Sequence, residues 1–152
     1  MNNQEIPPIK KDLIVQASQM TAFNVFTNKM NSWWPGTYHI GKSPLIESVL
    51  EPFVNGRWFT LHEDGSRCDV GYVIEWTPYS FVALAWQING TYQYDPDLIT
   101  EVEVHFIPEG PKTTRVKFEH KNLWRMIGDK SIADMDYGWG LILQLYKARA
   151  EL

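Results

Sequence analysis

One cysteine, Cys68, stands in a chain of 152 residues. A lone thiol closes no internal disulfide, so the fold rests on its core, as in proteins of a reducing compartment. Long apolar runs are missing too. The longest, Phe81-Val82-Ala83-Leu84-Ala85-Trp86, is far short of the ~20 residues that span a bilayer, so no membrane span is expected. The polar opening Met1-Asn2-Asn3-Gln4-Glu5 has no signal-peptide pattern, and a cytoplasmic location is the expectation. Positive charge is scarce and scattered: Lys and Arg number 14 against 18 Asp and Glu, for a net charge of -4. Nucleic acid is thereby excluded as the expected partner, because a phosphate backbone is met by clustered basic residues.

Ligand spacings for a metal are absent. His39, His62, His105 and His120 lie far apart with no HxxxH, HExxH or CxxC pattern, so neither a metal nor a cofactor is expected. No GxSxG elbow appears, and Cys68 has no neighbouring histidine or lysine to lower its pKa; no catalytic nucleophile is assigned. Internal repeats and linker-like tracts are also lacking, which leaves one domain over residues 1–152.

Aromatics are what the chain has in abundance, at 14% with seven Trp. A domain of this size buries roughly 70% of its unfolded surface. So many rings exceed what a small sheet and a few helices need for close packing, and the surplus can line a cavity. The stretch Lys29 to Ile40, KMNSWWPGTYHI, sets two indoles just before a Pro-Gly corner. Pro35 disfavours helical geometry at the residue before it, so the helix ends near Trp34. One of the two is expected to face inward and close the cavity, the other to lie near its entrance or under the sheet edge; Trp34, before the Pro35 corner, is the choice for the wall, although the sequence does not separate the two.

After an irregular start with Pro7 and Pro8, residues 10 to 17 read as a strand, rich in Leu13, Ile14 and Val15. Ser18 offers a helix cap, and Ala22, Phe23 and Phe26 recur at helical spacing through Lys29. From Leu45 to His120 the period is two, over segments 45–51, 57–63, 68–76, 80–88, 98–107 and 113–120. Glu63-Asp64-Gly65-Ser66 is the clearest hairpin signal. Val102, Val104 and Phe106 alternate with Glu101, Glu103 and His105, so one face of the sheet is covered and the other wet.

The last segment returns to helical spacing through Ile132, Met135, Trp139, Ile142, Leu143 and Tyr146, with Ser131 as its cap and Asp134 in its first turn. Gly138 and Gly140 flank Trp139 inside this helix, at about 1 kcal/mol each relative to Ala, which points to a close approach beside the indole. The order predicts an α+β fold, β-α-α-β6-α, in which a curved antiparallel sheet of about seven strands wraps around a long C-terminal helix. A cavity belongs between them.

The motifs Gly56-Arg57-Trp58-Phe59, His62 to Gly71, Val73-Ile74-Glu75-Trp76-Thr77-Pro78, Ala85-Trp86-Gln87, Glu101 to Val104, Thr114 to His120 and Gly138-Trp139 resemble the activator of heat-shock protein 90 ATPase homologue-like family. That family lies in the START-like, helix-grip (SRPBCC) superfamily, and the resemblance spans roughly residues 10–148. It implies the helix-grip fold and a deep hydrophobic cavity. There are departures: Asn55-Gly56 for Gly-Gly, Thr60 where relatives often have a carboxylate, and Thr77-Pro78-Tyr79-Ser80 for Pro-Pro-x-Arg.

The expected function is binding of a small hydrophobic or aromatic ligand, such as a lipid, a quinone or a polyketide-like molecule. The expected walls are Trp34, Trp58, Trp76, Trp86, Phe106, Phe118, Met135 and Trp139, with His39 and His120 as polar anchors. For His120, which continues the apolar face of Val116 and Phe118, a hydrogen-bonded core position is the simpler reading. The alternatives are a cyclase or aromatase in which His120 or a tyrosine moves protons, and a chaperone-associated interaction module with a solid core. A homodimer is compatible with the edge strands.

Overall fold

In the computed structural model, residues 6–126 and 129–152 are described, and the side chains of residues 129–131 are not. The expected irregular lead at residues 1–5 and the capping side chain expected at Ser131 therefore lie outside the described residues.

Period-two patterning becomes a seven-stranded sheet: β1 (Ile9–Val15), β2 (Leu45–Leu50), β3 (Arg57–His62), β4 (Arg67–Thr77), β5 (Phe81–Trp86), β6 (Thr100–Gly110) and β7 (Thr113–Lys121). The order is β1-β7-β6-β5-β4-β3-β2, antiparallel throughout. Consecutive hairpins from β2 to β7 form the expected meander, and β1 joins its far edge. Register shifts fall between Leu45 and Glu47, Trp58 and Phe59, Val73 and Glu75, and Pro108 and Gly110. Each adds local twist and bends the sheet into a trough. Between β3 and β4 the predicted turn forms with Gly65 at φ 84°, while Asp64 accepts bonds from the backbone and hydroxyl of Ser66.

Along β6 and β7 the apolar residues Val102, Val104, Phe106, Val116 and Phe118 are buried, and His105 and Lys117 are exposed. This buried face holds α2 (Asp129–Ala150), which begins two residues before the expected cap. Trp139, Ile142, Leu143 and Tyr146 all lie on the buried side of α2.

Helix α1 (Gln19–Phe26) opens as expected, Ser18 Oγ accepting from the backbone N–H of Thr21. It is shorter than the spacing predicts. At Thr27 both the backbone N–H and the hydroxyl turn to the carbonyl of Phe23, and the chain tightens into a 3₁₀ turn at Met30–Ser32 rather than a continued helix. Trp33 then drops into the core, 5% exposed, with its indole N–H donating to Val25 O at 2.6 Å. Its ring meets Phe26 and Tyr146. The Tyr146 hydroxyl donates to Ala22 O at 2.8 Å, fastening α2 to α1, and burial pushes its phenol pKa up. No helix among the described residues is long and apolar enough to cross a membrane.

Gly71 is where the sheet admits no side chain. A Cβ there would lie 1.7 Å from the carbonyl oxygen of Ala85 on β5, so the strands can approach only over a bare backbone. Gly71→Ala is expected to lower unfolding free energy by about 3 kcal/mol or more, or to prevent soluble expression, through overpacking against rigid backbone. Urea unfolding with a Gly36→Ala control, whose Cβ would meet nothing within 4 Å, checks the assignment.

Candidate functional site

Four indoles close a ring at the junction of sheet and helix. Trp34 meets Trp58 edge-on at 6.0 Å, Trp58 meets Trp86 at 5.5 Å, Trp86 meets Trp139 at 5.5 Å, and Trp139 returns to Trp34 at 6.0 Å. Steep interplanar angles, 61° to 86°, bring the positive edge of one ring to the negative face of the next. Such pairs contribute about 0.5–1.5 kcal/mol each beyond burial. Beside three of them, Trp34, Trp86 and Trp139, space is left open.

That space is a cavity of about 320 Å³. Its apolar walls are Trp34, Trp86 and Trp139 together with Ile40, Ile88, Met135 and Ile142. Gly138 forms part of the α2 wall, and a Cβ added there would meet nothing within 4 Å. Its missing side chain is a piece of the void. Polar groups are confined to Thr37, Tyr38, His39, Tyr92 and Asp134.

The indole N–H groups give the cavity nothing to bind. Trp34 donates to Tyr38 O at 2.8 Å and Trp86 to Ile88 O at 3.1 Å. Trp139 donates to His120 Nδ1 at 3.1 Å. Because Nδ1 accepts, the proton of the neutral imidazole sits on Nε2, which donates to Thr100 Oγ1 at 2.8 Å. The Thr100 hydroxyl donates in turn to Trp86 O at 3.2 Å. A directed relay therefore runs from one wall indole through β7 and β6 to the residue that carries another.

His120 is 0% exposed, and burial lowers its pKa to about 3. Both nitrogens are engaged, so it orients Trp139 from behind and offers no free atom as an anchor or proton carrier. Of the expected site residues, the fold brings Trp34, His39, Trp86, Met135 and Trp139 onto one cavity. Trp58, 1% exposed, closes the indole ring beneath them, and Phe118 stacks obliquely on Trp139 at 4.6 Å. Trp76 and Phe106 pack around Phe23 of α1, away from the cavity lining.

His39 lies on the wall with Nδ1 buried and unpartnered among the described residues, its ring 4.9 Å from that of His62. His62 is buried, donating from Nδ1 to Ser43 O and bonded through Nε2 to the Thr60 hydroxyl, each at 2.8 Å. This pins the loop that carries His39. Where relatives often have a carboxylate, Thr60 is part of that pin.

Tyr92 and Asp134 were not expected at the site. The Tyr92 hydroxyl donates to Asp134 Oδ2 at 3.2 Å, joining the loop after β5 to α2. Burial raises the Tyr92 pKa, with Asp134 adding to the effect. The signal for Asp134 was present: residues 134, 135, 138, 139 and 142 share one helical face around Trp139. Tyr92 sits in a loop whose path no periodicity encodes.

Solved structures place this geometry in a family. The anthrahydroquino-γ-pyrone synthase Txn09 is 35% identical over 90% of this chain and 88% of its own, with a TM-score of 0.63. CalC from Micromonospora echinospora, a self-sacrificing resistance protein, is 31% identical over 98% of this chain and 96% of its own, at 0.70. The Aha1 dimer from Colwellia psychrerythraea shares the fold at 18% identity, covering 95% of this chain and 96% of its own, at 0.67. No family model and no curated protein matches the chain. The chain belongs to the START-like, helix-grip (SRPBCC) superfamily.

The relay carries a pH signature. The unfolded chain protonates this imidazole near 6.5 and the folded chain only near 3, so within that window the unfolded state binds more protons. The contribution is fully present above pH 6.5 and declines as pH falls, at up to about 1.4 kcal/mol per unit. His120→Gln keeps an acceptor and a donor but cannot titrate. Between pH 6.5 and 5 the parent protein is expected to lose about 2 kcal/mol that the variant does not; equal slopes in urea titrations would refute the assignment.

Proposed function

We propose that the protein binds a small hydrophobic or aromatic ligand in the cavity between the sheet and α2. The observation that carries this reading is the void itself. Three indole faces border about 320 Å³ of unfilled space, and Gly138, on the α2 wall, supplies no side chain to fill it. Pockets of this size with apolar walls and few polar groups suit small organic molecules. An interaction module with a solid core would have no use for such a space.

A second reading is favoured by the similarity to a synthase at 35% identity. In it the same walls hold a reactive chain in a productive shape, and proton transfer falls to the Tyr92 and Asp134 pair, since both His120 nitrogens are taken. The two readings share the cavity and separate on turnover.

The test is native mass spectrometry and tryptophan fluorescence against a panel of lipids, quinones and polyphenols, with Gly138→Leu as the filled-cavity control. The parent protein is expected to quench with at least one aromatic member, and Gly138→Leu to bind it at least tenfold more weakly. Gly138→Ala removes a helix-interior glycine and is expected to gain up to about 1 kcal/mol of stability. Undiminished binding by Gly138→Leu would overturn the reading.

A further inference from the structure

The cavity divides into an apolar body and a polar mouth of one electrostatic sign. All three wall indoles have their N–H groups engaged by the protein, so the body presents π faces and aliphatic carbon, and no donor. Among the described residues the lining carries one formal charge, Asp134, and no lysine or arginine. The Tyr92 hydroxyl donates to that carboxylate, and the other polar lining residues are neutral Thr37 and Tyr38 and His39, whose buried Nδ1 is unpartnered among the described residues.

The mouth is built rather than incidental. Tyr92 holds a backbone φ of 60°, a left-handed conformation that a bulky residue adopts only when its surroundings impose it. Asn89 imposes it: its side-chain oxygen accepts from the backbone N–H groups of Thr91 and Gln93 and from the Thr91 hydroxyl, at 2.8–3.0 Å. Its carbonyl accepts from Tyr92 N–H at 2.9 Å. The result is a stiff turn that carries the Tyr92 ring to α2 and aims its hydroxyl at Asp134.

From this geometry we infer that the cavity selects flat aromatic ligands whose polar head donates hydrogen bonds, an amine or a phenol, and discriminates against carboxylate and phosphate heads. The inference rests on the binding reading above and narrows it to a class. The ligand's rings lie among Trp34, Trp86 and Trp139, where a cationic head also gains from the indole faces. Its donor reaches Asp134 alongside the Tyr92 hydroxyl. An anionic head in the same place meets the carboxylate, with no basic residue among the described lining residues to offset the repulsion. Free fatty acids and phospholipids are thus poor occupants of this particular helix-grip cavity, whatever their fit to its apolar walls.

The test titrates the tryptophan indole N–H resonances with four probes of one ring system: naphthalene, 2-naphthol, 2-naphthylmethylamine and 2-naphthoate. Naphthalene, with no head, reports the apolar body alone. The phenol and the amine are expected to bind about fivefold tighter than the carboxylate, modest because Asp134 is solvent-accessible. In Asp134→Asn the gap between amine and carboxylate, each taken relative to naphthalene in the same variant, is expected to close to within about twofold, and Tyr92→Phe tests whether the hydroxyl positions the carboxylate. If naphthalene shifts the indoles but the heads bind alike, or the carboxylate binds best, the selectivity inference is overturned and the cavity reading stands. If no probe shifts any indole, the binding reading falls and the inference with it.

Discussion

The hydrogen bond from the Trp139 indole to His120 is the interaction on which the site depends. It joins the buried indole at the middle of α2 to the floor of the sheet, and its direction fixes the tautomer of a histidine that is fully buried. A buried imidazole with one unsatisfied nitrogen would cost about 1–3 kcal/mol. Here the indole supplies the donor and Thr100 the acceptor, so three residues from three elements satisfy one another. Rotating Trp139 away would strand His120, and the helix is thereby held at one depth over the trough.

That depth explains why a void persists. At this position four indoles meet edge to face, an arrangement that their quadrupoles favour, and space remains beside three of them. Filling the remainder needs a side chain from α2, and the residue facing it is Gly138. The empty volume is maintained by rigidity on both sides: the relay behind Trp139, and the His62 pin that keeps the loop of residues 37–44 from collapsing inward.

Much of the fold was legible because it follows from period and punctuation. Strict alternation in β6 and β7 names the buried face and Asp64-Gly65 names a hairpin, whereas nothing in the pattern separates Trp33 from Trp34. Less legible was the end of α1, where the Thr27 hydroxyl competes for a carbonyl that helical spacing alone assigns to continued helix. The site was half legible. Residues on regular elements could be placed by face, as with Met135 and Trp139, but Trp76 and Phe106 share that apolar pattern and pack around α1 instead. Alternation tells which face a ring occupies and not how far along the trough it lies. Tyr92 was out of reach, because a left-handed turn organised by an asparagine side chain leaves no periodic trace.

A consequence for recognition follows from where the protein spends its donors. An indole at a binding wall usually serves twice, as a flat apolar surface and as a hydrogen-bond donor. In this cavity the second role is cancelled three times, by Tyr38 O, Ile88 O and His120. On the binding reading proposed above, the walls would hold an aromatic body with little regard to its substituents. Selectivity would have to come from groups outside the indoles, and among the described residues these are few: the Asp134 carboxylate, the phenols of Tyr38 and Tyr92, the Thr37 hydroxyl and the His39 imidazole. On that reading, substitutions at Asp134, Tyr92 or His39 would change the preferred head of the ligand, while the ring of aromatics kept its body.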